Sequence, residues 1–243
     1  MTQSVTKSVL ITGAGNRIGR ALAKGLHADG WAVAIHYNRS KNAAKELANA
    51  LGARAVTVQA NLNIPNEVDT LVSRTIEALG TPLTALINNA STFTPDKAQD
   101  FTPALYDHHM DVNLKAPLLL SQHFANALPH DKQGVIINMI DQRVLRPAPD
   151  YFSYAISKSA LYSATQTLAQ ALAPRIRVCG IGPGPTLQNS HQNDADFDSE
   201  IEATLLGTGS PPDTILHAVR YILSANAVTG QMIAVDGGEH LIF

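Results

Sequence analysis

Seven short apolar runs recur along this chain of 243 residues with helical stretches between them, and that alternation leaves few architectures open. The runs are Val9–Ile11, Ala32–Ile35, Ala55–Val58, Ala85–Ile87, Val135–Ile140, Ile176–Ile181 and Met232–Val235. Between them, Arg17–Asp29, Lys41–Leu51, Pro65–Leu79, Pro103–Leu128, Tyr154–Leu172 and Pro212–Ser224 read as helices, several closed by glycine stop signals at Gly30, Gly52 and Gly80. Strands joined through helices require right-handed crossovers and parallel pairing. The expectation is a single-domain, doubly wound α/β fold over residues 1–243: a seven-stranded parallel sheet with helices on both faces. Ligands of such sheets bind at the carboxyl ends of the strands, so the residues after each run are where chemistry belongs.

Composition narrows the partners. With 45% hydrophobic and 16% charged residues the chain has enough apolar material for a filled core, and a net charge of −2 provides no basic stripe for a phosphate backbone. A small molecule, not nucleic acid, is the expected partner. No run approaches the roughly 18 apolar residues of a membrane span, which points to a cytoplasmic protein. The single cysteine, Cys179, lies within a strand pattern and reads as a buried thiol. No metal is expected. His108 and His109 are adjacent on a helix and point apart, His191 reads as a surface residue, and Asp194, Asp196, Asp198 and Glu200 read as a solvated face.

The first strand passes directly into Gly13-Ala14-Gly15-Asn16-Arg17-Ile18-Gly19, a strand, tight turn and helix start. Glycines there let backbone N–H groups approach a pyrophosphate, and the helix start offers unpaired N–H groups and the positive end of its dipole. After the second strand, His36-Tyr37-Asn38-Arg39-Ser40 contains no acid to hold a ribose 2′-hydroxyl, whereas Arg39 and Ser40 suit a 2′-phosphate; the cofactor is therefore NADPH/NADP rather than NAD. After the third strand, Asn61 and Leu62 lie where an adenine edge would rest, with Asn61 either bonding the base or capping the loop.

The fourth strand ends in Asn88-Asn89-Ala90-Ser91-Thr92-Phe93, which would floor the cofactor cleft. Asn113 sits in an otherwise apolar helical stretch, where an amide needs a partner or a wet site. The fifth strand delivers Asp141 to the mouth of the cleft, and thirteen residues on come Tyr154 and Lys158 at helical i,i+4 spacing. A nearby ammonium is expected to lower the phenol's pKa and make it a better acid near neutral pH.

Together these motifs resemble the short-chain dehydrogenase/reductase family over essentially the whole chain. The residues that carry the resemblance are the turn from Thr12 to Gly19, Asn88-Asn89-Ala90, Asn113, Tyr154 with Lys158, Pro183-Gly184, and Asp236-Gly237-Gly238. It implies a Rossmann fold and hydride transfer from a nicotinamide, with Tyr154 as acid, Lys158 on the nicotinamide ribose, and Asn113 supporting a relay water. Two departures stand out: Arg17 replaces a turn glycine and would set a cation beside the cofactor phosphates, and Asp141 replaces a serine. A carboxylate cannot donate to a substrate carbonyl and would repel an oxyanion, but it accepts well from a nitrogen heterocycle.

With Arg17, Ser91, Phe93 and the Asp141–Tyr154 pair, the chain is similar to the pteridine reductase branch, including dihydromonapterin and dihydrofolate reductases of this fold. The resemblance implies reduction of a pterin or folate C=N bond, with Phe93 stacked on the heterocycle, Ser91 at the pterin or a cofactor phosphate, Gly184 and Pro185 on the substrate side, and a homotetrameric assembly. The polar segment 185–211 is a candidate substrate lid. Two alternatives accompany this reading: a carbonyl reductase acting on a 3-oxoacyl thioester or sugar ketone, which Asp141 opposes, and a nucleotide-sensing protein without turnover, which Tyr154 and Lys158 oppose.

Overall fold

The apolar runs fold as β1 (Ser8–Ile11), β2 (Ala32–Tyr37), β3 (Ala55–Gln59), β4 (Ala85–Asn88), β5 (Gly134–Met139), β6 (Ile176–Pro183) and β7 (Met232–Val235) in the computed structural model. The structure describes residues 7–188 and 193–242; the expectation for His191 lies outside them. The strands make one sheet in the order β3-β2-β1-β4-β5-β6-β7, and every pairing is parallel. β1 is bonded on one side to β2 and on the other to β4, so the chain reverses its direction of winding there and opens a crevice above the strand ends.

Alternation along each strand divides the core into two layers. Val9 and Ile11 of β1 pack with Leu22 and Leu26 of α1 (Arg17–Ala28), Leu47 of α2 (Lys41–Leu51) and Ile215 and Val219 of the helix at Pro212–Ser224. Leu10 faces the opposite layer, with Leu71 of α3 (Pro65–Leu79) and Leu120 and Phe124 of the helix at Ala116–Ala127. All four residues of β1 are fully buried, the state expected of a central strand covered on both faces.

The expected single helix Pro103–Leu128 is instead two helices, α4 (Pro103–Met110) and α5 (Ala116–Ala127), joined by a widened π turn at Asp111–Lys115. The Ala116 N–H reaches back five residues to the Asp111 carbonyl. Pro117 has no N–H for the carbonyl of Asn113, so the regular ladder cannot run through this point. The next helix, α6 (Phe152–Leu172), begins two residues before Tyr154. Within the segment after β6, Asn193 and Asp196 form a capping box that opens a short helix, α7 (Asp194–Glu202), followed by α8 (Pro212–Ser224). Among the described residues no helix is long and apolar enough to cross a membrane.

Candidate active site

The glycine turn is fastened to the end of β4. Thr12 Oγ1 accepts from the N–H groups of Asn89 and Ala90, each at 2.9 Å, and the Asn89 side-chain amide donates to the Thr12 carbonyl at 2.7 Å. Gly13 has φ +65°, and a Cβ there would lie 3.0 Å from the Ala90 Cα. A Cβ on Gly15 would lie 2.7 Å from Ser40 Oγ, so a larger residue there would displace that hydroxyl. α1 then starts at Asn16 with no side-chain cap and no acid in its first turn, leaving its N–H groups and positive dipole end open to an anion.

His36 completes this half of the site, a role that no local sequence pattern signals. It lies inside β2 rather than after it, fully buried. Gly13 N–H donates to its Nδ1 at 3.0 Å, so the ring must be neutral there and carry its proton on Nε2, which donates to the Ala60 carbonyl at 3.0 Å. Burial pushes its pKa down to about 4, opposed by the Ala60 bond and reinforced by Arg74. One imidazole thus ties the glycine turn to the end of β3.

Beside it, Tyr37, Asn38, Arg39 and Ser40 line the cavity, and the exposed Arg39 guanidinium makes no ion pair with any described side chain. Asn61 Oδ1 accepts from Asn63 N–H at 3.1 Å and from the Asn38 amide at 3.4 Å. Of the two alternatives for Asn61, its carbonyl oxygen takes the loop-capping one.

At the reaction end, Asp141 follows β5 and Tyr154 lies in the first turn of α6. The phenol donates to Asp141 Oδ2 at 2.6 Å, while Asp141 Oδ1 accepts from Arg143 N–H at 2.8 Å. Lys158 is buried, donates to the Met139 carbonyl at 2.8 Å, and places its ammonium 5.7 Å from the centroid of the Tyr154 ring. The expected lowering of the Tyr154 pKa is reversed: burial, the Asp141 charge and its hydrogen bond push the phenol well above its ordinary value. Burial pushes Lys158 down to about 8, with Asp141 opposing. Burial is the largest of these effects, and the Asp141 carboxylate acts in the same direction.

Three further site residues from the sequence have protein partners of their own. Asn113 does not line the cavity. Its Oδ1 accepts from Thr92 N–H (2.8 Å) and Ser91 Oγ (3.1 Å), and its Nδ2 donates to the Thr92 carbonyl (3.0 Å) and Ser157 Oγ (3.1 Å), so the amide clamps the loop after β4. The Arg17 guanidinium, expected beside phosphates, donates instead to the carbonyls of Leu187 (2.9 Å) and Gln188 (2.7 Å) across the mouth of the cleft. Its backbone is left-handed, φ +50°, the conformation that suits the glycine ordinarily found there. Phe93 faces the cavity but also meets two tyrosines, stacked on Tyr151 at 4.0 Å and edge-on to Tyr154 at 4.7 Å.

All these groups surround one cavity of about 890 Å³. Every predicted site residue lines it except Gly15 and Asn113: Gly13, Asn16, Arg17, Ile18, Gly19, Tyr37, Asn38, Arg39, Ser40, Asn61, Leu62, Asn89, Ala90, Ser91, Phe93, Asp141, Tyr154, Lys158, Pro183, Gly184 and Pro185. Its wall also includes Arg143, Phe197, Glu200 and Glu239, which sequence patterns did not reveal. Burial, followed by Glu200, pushes the Glu239 carboxyl up to about 7. No group of three or more possible metal ligands occurs among the described residues.

Comparisons with known proteins show which family the chain resembles. The family model for short chain dehydrogenase matches residues 7–198. Pteridine reductase 1 of Leishmania tarentolae is 32% identical over 99% of this chain and 99% of its own length. Dihydromonapterin reductase of Escherichia coli is 30% identical over 96% of each. The crystal structure of FolM alternative dihydrofolate reductase 1 from Brucella canis, complexed with NADP, superposes with a TM-score of 0.94 at 42% identity, covering 98% of this chain and 95% of that one.

Proposed function

The chain belongs to the short-chain dehydrogenase family, and we propose that within it this protein reduces a pterin or folate C=N bond with NADPH, taking a dihydropterin to a tetrahydropterin. The observation that carries the reading is the 2.6 Å bond between Tyr154 and the Asp141 carboxylate at the head of the cleft. A carboxylate there accepts from the N–H and amino groups of a heterocycle and disfavours a developing ketone oxyanion. The named relatives and the NADP-bound neighbour support the same substrate class and cofactor.

The residues present fit NADPH. The uncapped start of α1 and the glycine turn suit a pyrophosphate, and Arg39 with Ser40 suits a 2′-phosphate. Bound NADPH supplies a hydride for the ring carbon of the substrate. Asp141 orients the heterocycle by accepting its N–H groups. Tyr154 keeps its proton until a ring nitrogen comes within reach, then releases it; Lys158, whose ammonium lies 5.7 Å from the centroid of the tyrosine ring, steadies the phenolate that remains. Water returns the proton, so one C=N bond gains hydride and proton in each turnover.

We further read residues 1–243 as one NADP-binding domain, segment 185–211 as its substrate lid with Arg17 at the root, the assembly as a homotetramer and the compartment as the cytoplasm. The test is NADPH oxidation by purified protein with dihydromonapterin, dihydrobiopterin, dihydrofolate and an acetoacetyl thioester side by side. Turnover of the pterins or the folate without the thioester is expected. Turnover of the thioester alone would contradict the assignment.

A further inference from the structure

Tyr151 occupies a helix start that calls for a small polar cap. It precedes α6 with φ +56° and ψ 48°, left-handed backbone that a bulky residue adopts only where its surroundings hold it, and its side chain caps nothing. Asp96 does the capping instead: its carbonyl accepts from Phe152 N–H at 3.2 Å, and its carboxylate accepts from Ser153 N–H at 3.1 Å and from the Ser153 hydroxyl. Relieved of that task, the Tyr151 ring stacks on Phe93, centroids 4.0 Å apart and planes 9° from parallel. The Arg143 guanidinium lies over the same ring, 5.7 Å from its centroid. Phe93 and Arg143 line the main cavity, whereas Tyr151 borders a separate depression beside Pro95 and Asp150. Tyr151 therefore covers one face of Phe93 and leaves the cavity side open.

We propose that Tyr151 is a positioning residue for a planar heterocycle: it acts through Phe93, fixing the tilt of that ring and hence the width of the slot above the nicotinamide position. The inference rests on the heterocycle reading of the site. The segment carrying Phe93 is pinned on both sides, at Thr92 by Asn113 and at Asp96 by Ser153, and Tyr154 meets the ring edge-on at 4.7 Å, so Tyr151 supplies the stacked face that sets the ring plane. A wall already in place loses less freedom when the substrate docks.

Steady-state kinetics with a dihydropterin, together with NADPH binding followed by fluorescence, tests this in the wild type, Tyr151→Phe, Tyr151→Leu and Tyr151→Ala. Loss of the ring should raise the pterin KM about threefold to tenfold, with kcat and NADPH affinity nearly unchanged, and Tyr151→Phe should restore it. In a double-mutant cycle, Tyr151→Leu should add nothing once Phe93→Leu is present. An unchanged KM, a defect shared equally by NADPH binding, or additive losses would overturn the proposal. If the wild type turns over no dihydropterin, the functional reading falls. The brace is then judged by calorimetry of 2,4-diaminopteridine with NADP-loaded protein, where Tyr151→Leu should bind about threefold to tenfold more weakly and equal binding would refute it.

Discussion

The two halves of the cleft are built from different materials. The cofactor half, around the glycine turn, β2 and the end of β3, relies on backbone groups and fixed neutral side chains, with the Arg39 cation at its rim: the open N–H groups of α1, the Thr12–Asn89 fastening, and a histidine held neutral by burial. The reaction half, around β5, α6 and the C-terminal turn, concentrates ionisable side chains, with Asp141, Tyr154, Lys158, Arg143 and Glu239 lining the cavity together. Backbone recognition gives a phosphate the same welcome at any ordinary pH. Clustered side chains give chemistry, and two of them titrate near neutrality, Glu239 at about 7 and Lys158 at about 8.

That division is broken most sharply at Tyr154. Tyr154→Phe removes the proton donor and should lower kcat with a dihydropterin by about a thousandfold, while NADPH affinity, measured by fluorescence, stays within about twofold. A comparable loss of NADPH binding would mean that the halves are not separable.

Next in size is acid stability. The folded protein holds His36 neutral down to about 4, while the unfolded chain takes up that proton near the ordinary histidine value of 6.5. The unfolded state therefore binds more protons between those pH values, and stability must fall as pH drops through the window. The His36 contribution is on the order of 3 kcal/mol and should be complete by about pH 4. Denaturant unfolding of wild type and His36→Gln between pH 7 and 4 checks this, since the variant should lack that part of the slope. The smallest of these three effects is expected for Arg39→Ala, which should weaken NADPH about tenfold to a hundredfold and leave NADH nearly unchanged, as titrations of the two cofactors would show. Equal losses would remove the 2′-phosphate assignment.

The cofactor half was largely legible in the sequence because its signals are local. A glycine turn, the absence of an acid after β2 and the run Asn88-Asn89-Ala90 each announce themselves within a few residues. The reaction half was legible only in part. Asp141, Tyr154 and Lys158 stand out by type and spacing, but the direction of the Tyr154 pKa depends on its burial and then on the closeness of Asp141, and spacing along a helix contains neither. Glu239 and Arg143 reach the cavity through a three-residue helical turn near the C-terminus and another after β5, long-range placements that no short pattern encodes. The π turn at Asn113 went unread because Pro117 acts four residues away through a missing N–H, and that turn belongs to the residue clamping the Phe93 loop.

The central claim is that Asp141, rather than the nucleotide end, makes this a C=N reductase. The most direct measurement is Asp141→Ser assayed for NADPH binding, dihydropterin turnover and acetoacetyl-thioester turnover. The account predicts dihydropterin turnover reduced about a hundredfold or more, NADPH affinity within about twofold of wild type, and any activity gained appearing on the thioester. Unchanged dihydropterin kinetics in that variant would contradict it.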